Sequence, residues 1–535
     1  MMTGLRRVVM VFASSVLVVG VLVVPVGAVA TTWYVDNTVA CNDSTVDSSV
    51  TPYCKVQAAI DDASSGDTID IGPGTYTSTW APAVAYLVSK DLDLVGAGAG
   101  STILDGEDGK TGIWVDAGMV TITDLTVNRG YSGGSGGGLY VVTAGSLVAT
   151  DVTVLDSVAL YGGAGAYAGG NSTLELYGVT ISGGDAQGDT GGGGGIMTAG
   201  GATVVVSGST IVDCVASGAT GKGGAILVVA TGVTVTVVDS MLQDNDAEHR
   251  GGGIYLNDSA GSFAISGTTF DGNGSLGWAE DGGAIYLYSG SPTIADSLFL
   301  SNQATADGGA IANEGGTLTI ASSTFSANSA GTEGGAIDYL VGTLSGSTVT
   351  LNSAADGGGL TRGFTLPVIR NSIIAGNTAT GDHADCDSIQ SEGYNLIGDA
   401  SDCGVNGDTT GNLLDTDPLL KALADHGGPT YTHALGPGSP AKDAGNPATP
   451  DGTGTACEVT DQRGWDRDGD DGRCDIGAFE DLTCDGKEIT IPGTPGNDTI
   501  LGTAGNDVIA GFGGWDTISG LEGDDTICGG PNSDT

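Results

Sequence analysis

The tetrapeptide GG[AG][IL] recurs through the middle of the chain, at residues 223–226, 282–285, 308–311 and 334–337, with looser versions ending at Leu139, Ile196, Ile254 and Leu360. A second marker keeps step with it: an apolar residue, two variable residues and then Asn, as at 270–273, 299–302, 325–328 and 374–377. Asn245, Asn273, Asn302, Asn328, Asn352 and Asn377 are separated by 28, 29, 26, 24 and 25 residues. A period of this size belongs to stacked arrays, in which one unit is copied along an axis.

Between the markers lie short β-branched stretches, such as 203–207, 233–238 and 317–320, bounded by Gly, Ser, Asn and Asp. These are strand and turn signals. No segment between residues 100 and 380 carries a long apolar stripe at helical spacing, so each repeat is several short strands and the stack is a parallel β-helix. Gly admits positive φ and close approach of neighbouring coils, and the Ile or Leu after each Gly pair is expected to face the core. Asn suits a turn by itself, through left-handed geometry and bonds to backbone. If successive coils superpose, the Asn amides also bond in a ladder along the stack.

Gly at 96 of 535 residues and aromatics at 5% argue against one ordinary globular core, a limit that a solenoid escapes by stacking a narrow one. The formal charge is −48. Nucleic acid and anionic membrane surfaces are therefore poor partners, and cations are natural ones. Residues 1–30 read as an export signal: Arg6 and Arg7, an apolar run over 8–24, and Ala28-Val29-Ala30 as a small-residue cleavage site. The apolar run is also near the roughly 20 residues that span a bilayer, so an uncleaved anchor is the other reading. Cleavage leaves no membrane insertion.

Export permits disulfides, and eight of the nine cysteines sort by proximity into Cys41 with Cys54, Cys386 with Cys403, Cys457 with Cys474 and Cys484 with Cys528, the connectivity staying open. Cys214 is left over. In the run 211–214 it stands where later coils have Asn, which makes it a buried, unpaired thiol.

The stretch 54–64 (CKVQAAIDDAS) has apolar residues at helical spacing and is followed by GDTIDIGPGTY at 66–76 and DLDLVGAGAGSTILDG at 91–106. These resemble the start of the pectin-lyase-like superfamily. The resemblance implies an all-β, single-stranded, right-handed parallel β-helix with a short capping helix at its N-terminal end. The GGA[IL] and FxxN repeats resemble those of chlamydial polymorphic outer-membrane proteins, which are surface adhesins, without that family's C-terminal membrane barrel. Residues 385–480 resemble the end of bacterial surface proteins of the choice-of-anchor Q type, through SEGYNLIGD at 391–399, GGPTYTHAL at 427–435, PGSPAKDAG at 437–445, TDQRG at 460–464 and CDIGAFE ending at Glu480. That segment reads as the last coils and a disulfide-stapled cap.

From Gly493 the period becomes nine: GTPGNDTIL, GTAGNDVIA, GFGGWDTIS, GLEGDDTIC and GGPNSDT. This resembles the nonapeptide repeat of RTX proteins and implies calcium binding in a small parallel β-roll. The implied metal residues are Asp498, Asp507, Asp516, Asp525 and Asp534 at the sixth position, with Gly496, Gly505, Gly514 and Gly523 at the fourth. Calcium takes six to eight oxygens, which glycine turns exposing carbonyls beside a row of carboxylates can supply. Ile500, Ile509, Ile518 and Ile527 are expected to fill the roll's core. Thr, Phe or Leu stands at the second position in the first four units, and Asn532 replaces the fourth Gly of the last. The acidic run at 466–472 is not an EF-hand, since Asp471 sits where Gly is needed and Gly477 where the bidentate Glu belongs.

The expected organisation is a signal at 1–30, β-helix repeats with an N-terminal cap at 31–384, final coils and cap at 385–480, and the roll at 481–535. The superfamily includes polysaccharide lyases and hydrolases, so catalysis stands beside adhesion. A lyase needs a base beside carboxylates, and a glycosidase two opposed acids. The densest charged cluster in the repeats is Asp244, Asp246, Glu248, His249 and Arg250, expected to be a hydrated turn. No catalytic residue is assigned. The resulting expectation is an exported, cell-surface or extracellular protein acting in adhesion or as a structural module, with calcium and glycans or surface proteins as partners. A polysaccharide lyase or glycoside hydrolase is the alternative.

Overall fold

A computed structural model describes residues 30–43, 51–78, 82–189, 191–275, 277, 280–467, 473–485, 487–493, 496–530 and 533–535. All but Ala30 of the export signal, residues 468–472 of the acidic run, and Asn532 lie outside the described residues. Among the described residues no helix is long and apolar enough to cross a membrane.

The shaft is a right-handed parallel β-helix. Its strands stack into four parallel sheets of 15, 14, 11 and 10 strands. A single coil shows the path: Leu139–Val142 in the eleven-stranded sheet, Ser146–Thr150 in the fifteen-stranded, Thr153–Leu155 in the fourteen-stranded, Val158–Ala159 in the ten-stranded. Alternation within each strand sends every second residue inward, as in Thr203–Ser207, where Val204 and Val206 are buried. The inward residues form one continuous apolar core from Val35 to Cys403. At the N-terminal end the helix Val56–Asp62 buries Val56, Ala59 and Ile60 against the first strands. Lys90 closes it, its Nζ donating to the carbonyls of Ile60 and Asp61 at 2.6 and 2.9 Å.

The two sequence markers have distinct mechanical roles. In the pair Gly308-Gly309, Gly308 has φ +68°, and a Cβ on Gly309 would stand 2.2 Å from the carbonyl oxygen of Gly335 in the next coil. The first glycine turns the chain and the second lets coils touch. Ile311, which follows, is fully buried. The Asn markers form one buried ladder. Asn245 Nδ2 donates to Asn273 Oδ1 at 2.9 Å, and the same bond repeats from 273 to 302, 302 to 328, 328 to 352 and 352 to 377, at 2.8 to 3.0 Å. Cys214 begins this line, its N–H donating to Asn245 Oδ1 at 3.1 Å, and it is buried and free. Beside the ladder, Phe270, Phe299 and Phe325 stack with centroids 4.7 and 4.5 Å apart.

A third ladder carries no obvious sequence period of its own. Hydroxyls of Ser297, Ser323, Ser347 and Ser372 each accept the N–H of the residue one coil earlier, at 3.2 to 3.3 Å. These serines lie five residues before the Asn of the same coil, so the two ladders flank the strands Leu298–Leu300, Thr324–Ser326, Thr348–Thr350 and Ile373–Ile374 of the fourteen-stranded sheet.

Residues 385–480 begin with the final coils. Strands Ser388–Glu392 and Leu396–Ile397, then Gly404–Asp408 and Leu413–Leu414, extend the shaft. The chain after them runs back along its flank as an irregular strap. Thr430 Oγ1 donates to the carbonyl of Asp296, Ser322 Oγ to that of Thr460, and the Ala478 N–H to Thr348 Oγ1. Outward residues of the fourteen-stranded sheet, Thr324, Ser326, Thr348 and Thr350, are therefore buried, whereas the equivalent Thr180 and Ser182 upstream are partly exposed. The TDQRG and CDIGAFE motifs, both within this strap, meet against the shaft. Arg463 pairs with Asp461 at 2.7 Å and lies over the rings of Trp465 and Phe479, and Arg467 pairs with Glu480 at 3.4 Å, all four charged groups buried. The four disulfides join Cys41 to Cys54, Cys386 to Cys403, Cys457 to Cys474 and Cys484 to Cys528.

Candidate functional site

In the C-terminal roll, Thr499–Leu501 pairs in parallel with Thr517–Ser519, and Val508–Ala510 lies between Ile491–Pro492 and Thr526–Cys528. Partners are 18 residues apart, so two nonapeptides make one turn and alternate units fall on opposite sheets. This divides the expected single row of carboxylates into two columns. On one, the Asp498 N–H donates to Asp516 Oδ1 at 2.8 Å and the Asp516 N–H to Asp534 Oδ1 at 3.0 Å; on the other, the Asp507 N–H donates to Asp525 Oδ1 at 2.9 Å. One oxygen of each accepting carboxylate is thus spent on the backbone of the turn before.

The remaining carboxylate oxygens are met unequally. Asp507 Oδ2 accepts the Thr503 N–H at 2.6 Å, but Asp516 Oδ2 is buried without a hydrogen-bond partner. A buried carboxylate oxygen with no partner costs free energy unless a cation or donor meets it. The first-position glycines explain how the columns fit. A Cβ on Gly511 would stand 2.4 Å from Asp516 Oδ2, and one on Gly520 2.2 Å from Asp525 Oδ2. At the fourth position Gly514 and Gly523 have φ of +110° and +131°, which turns the chain sharply beside the carboxylates. Gly496 and Gly505 occupy the same place in the first two units. Among the described residues no three His, Cys, Asp or Glu side chains converge on one point, so a cation here needs backbone carbonyls as well. These residues fit calcium, a hard cation that accepts mixed carboxylate and carbonyl oxygens.

The roll's apolar filling is uneven. Ile500 and Ile509 are buried and Ile518 partly so, but Ile527 is 47% exposed on the last turn, contrary to the expectation that all four fill a core. Phe512 and Leu521, at second positions, hold φ of +61° and +69°. Side chains there carry the left-handed strain that Gly would avoid. Two fifth-position asparagines, which the repeat pattern does not single out, add a ladder: Asn497 and Asn506 accept the N–H of Trp515 and Asp524, both at 2.9 Å. The roll packs Val508, Ala510 and Phe512 against Leu482 and against Trp465 of the preceding segment.

The charged cluster near residue 248 is not one hydrated turn. Asp246 stays on the ten-stranded sheet, where burial and then Asp244, Asp213 and Glu248 push its carboxyl up to about 6. His249 and Arg250 pass instead to the flank of the eleven-stranded sheet. There His249 Nδ1 stands 2.7 Å from Glu280 Oε2, and Arg250 pairs with Asp281 at 3.2 Å and Glu314 at 3.3 Å. Arg250 Nη1 donates to the Tyr286 hydroxyl at 2.6 Å, and that hydroxyl donates to Glu314. One coil earlier, Lys222 lies over the ring of Tyr255. Burial pushes Glu280 up to about 7 and the Lys222 ammonium down, the latter aided by Arg250. Sequence spacing hides this network because its members lie a full coil apart.

Three family models match parts of the chain: a right-handed beta helix region over residues 111–303, a Chlamydia polymorphic membrane protein repeat over 296–314, and an RTX calcium-binding nonapeptide repeat in four copies over 492–527. No curated protein matches the sequence. Solved structures similar to the chain include a rhamnogalacturonan lyase at 15% identity, covering 55% of this chain and 87% of that one with a TM-score of 0.30. The pectate lyase Pel9A is similar at 14% identity, covering 85% and 97%, with a TM-score of 0.29. The PL6 family alginate lyase AlyGC is similar at 11% identity, covering 86% and 64%, with a TM-score of 0.36.

Proposed function

We propose that this chain is an exported, extracellular or cell-surface β-helix protein whose roll binds calcium and whose shaft acts in adhesion or as a structural module. The observation that carries the calcium half is the paired carboxylate columns with Asp516 Oδ2 buried and unpartnered. Asp498, Asp507, Asp516, Asp525 and Asp534 would hold the ion, together with carbonyls of the turns at Gly496, Gly505, Gly514 and Gly523. Calcium supplies charge neutralisation where carboxylates are stacked. Four disulfides support an oxidising compartment, and the likeness of residues 296–314 to a polymorphic membrane protein repeat supports a surface role.

A second reading, a polysaccharide lyase or glycosidase, is favoured by the flank network. A lysine of lowered pKa beside an arginine, two tyrosines and a protonatable Glu280 is the kind of group that moves protons. Beads coated with the full calcium-loaded chain are to be scored for retention on immobilised glycans and surface proteins, alongside release of unsaturated or reducing sugars from the same polymers. Retention without turnover supports adhesion. Turnover that Lys222→Ala abolishes would replace it with the enzyme.

A further inference from the structure

Tyr286, Ala312 and Asp338 occupy one register column on the outer face of the eleven-stranded sheet. The small Ala312 between two larger neighbours leaves a depression, a cavity of about 300 Å³ whose walls include Arg250, Asp307, Glu314 and Asp338 and whose rim carries Tyr339 and Phe364. Phe364 is 87% exposed, and its ring meets Tyr339 edge-on at 5.6 Å. A lone exposed Phe is unremarked on most surfaces. Here it stands over a pocket of polar groups, the arrangement that an amphipathic ring compound fits.

The hydrogen-bonding inventory of that pocket is one-sided. Arg250, its cation, is already matched by Asp281, Glu314 and the Tyr286 hydroxyl. The Asn313 amide is spent on the carbonyls of Gly316 and Tyr339. Asp338 is more than nine-tenths buried, with Oδ1 accepting the Thr361 hydroxyl at 2.6 Å and Oδ2 without a partner among the described residues. Asp307 uses Oδ1 for the Glu333 N–H and the Thr332 hydroxyl, leaving its other oxygen free. Burial pushes the Asp338 carboxyl up to about 7, but Asp281, Asp307 and Glu314 against Arg250 alone keep the pocket negative, and among the described residues Asp307 offers a free acceptor. An occupant must bring donors and no negative charge.

We propose that this pocket binds a sugar residue that is uncharged or carries an amino group, laying a C–H face on Phe364 and donating hydroxyl or ammonium hydrogens to Asp338 and Asp307, and that it rejects uronates. The inference names the glycan class for the adhesion reading and rests on it.

The test is calorimetric titration of the calcium-loaded full chain with oligomers of glucose, of N-acetylglucosamine, of glucosamine and of galacturonate. Binding of one or more of the first three is expected, and the strongest arm separates the neutral from the amino source. Phe364→Ala is expected to weaken it about tenfold, and Asp338→Asn to weaken the glucosamine arm most. Trp515→Ala, an exposed aromatic on the roll, should leave it unchanged. Unaltered circular dichroism and thermal midpoint show that each variant is folded. Binding of galacturonate in preference to the others, binding of none, or binding that Phe364→Ala does not change overturns the proposal. Coated beads that adhere equally with and without Phe364 would leave adhesion standing while this inference falls. Sugar binding lost in Phe364→Ala, with beads that adhere to nothing, would do the reverse.

Discussion

Asn377 gives both its backbone and its side-chain N–H to one oxygen of Asp385, at 3.0 and 2.9 Å, and the other oxygen of that carboxylate takes the Asp399 N–H at 2.7 Å. The Asn ladder thus ends on a buried charge-bearing acceptor in the coil that also holds the Cys386–Cys403 disulfide. Burial pushes the Asp385 carboxyl up, against the hydrogen bonds of Asn377 and Asp399.

Asp385→Ala would strand the two buried N–H donors of Asn377 and the part-buried N–H of Asp399. At 1–3 kcal/mol for a buried group left unsatisfied, a loss of about 3 kcal/mol or more is expected, read from the midpoint of chemical unfolding. Asp385→Asn keeps one acceptor for Asn377 but turns an N–H₂ toward Asp399, so it should fall between the parent and Asp385→Ala. An Asp385→Ala variant as stable as the parent would show that the ladder's terminus contributes nothing.

Cys214 should resist alkylation in the native protein. It is fully buried, and burial pushes its thiol up to about 12, so almost no thiolate exists at neutral pH and none of it is reachable. Labelling at a neutral pH is expected to track global unfolding and to rise steeply in denaturant. Rapid modification under native conditions would contradict the ladder assignment.

Calcium should stabilise the roll of the intact chain. Addition of Ca²⁺ after chelation is expected to raise the unfolding temperature of the C-terminal transition and to protect residues 496–530 from proteolysis, in line with binding free energy appearing as folding free energy. Asp516→Ala removes the unpartnered oxygen and should lose most of the response. Asp485→Ala, outside the nonapeptides, should keep it. Equal responses from both variants would mean that the columns hold no metal.

The chelated protein should be more stable at mildly acid pH than above neutrality. Burial pushes Asp296 up to about 7 and Asp475 up to about 6, and holds Glu480 well above the ordinary range. A carboxyl raised in the folded state favours folding while protonated, so its contribution is complete below an unfolded pKa of about 4 and is lost as pH climbs through 6 to 7. Asp258 works the other way: against the upward push of burial, backbone N–H groups of Gly232, Val233, Ala260 and Gly261 hold it low, and its contribution is lost only in stronger acid. Unfolding midpoints are expected to fall between pH 5 and 8, with a shallower fall in Asp296→Asn. A midpoint that rises across that window would refute the assignment.

Arg463→Met, by contrast with a surface change, removes one half of a buried pair and should loosen the strap. Breaking such a pair costs about 3–5 kcal/mol because the remaining charge is uncompensated, and Asp461 would be left that way. New proteolytic cleavage within 416–480, with the shaft intact, is the expected result.

The repeat markers make the shaft legible in the sequence itself. Gly308 and Gly309, Ile311 and Asn302 each do one mechanical job per coil, and a job repeated at constant spacing leaves a period in the chain. The nonapeptides are readable for the same reason. The serine ladder is not, because Ser is common throughout the chain and its regular place before Asn stands out only once coils are superposed. Nor is the number of nonapeptides per turn, because their period says how long a unit is and not which unit it stacks on.

Local repetition, then, determined the fold class, the direction of the core and the residues suited to calcium, since each depends on interactions a coil makes with copies of itself. Only the tertiary structure decided that residues 416–467 and 473–480 lie along the flank, that Asp461, Arg463, Arg467 and Glu480 meet within them, and that Arg250, Tyr286 and Asp338 share one face. Those contacts join residues of unlike sequence from different coils, and their energies come from burial and pairing across distances that leave no period in the chain.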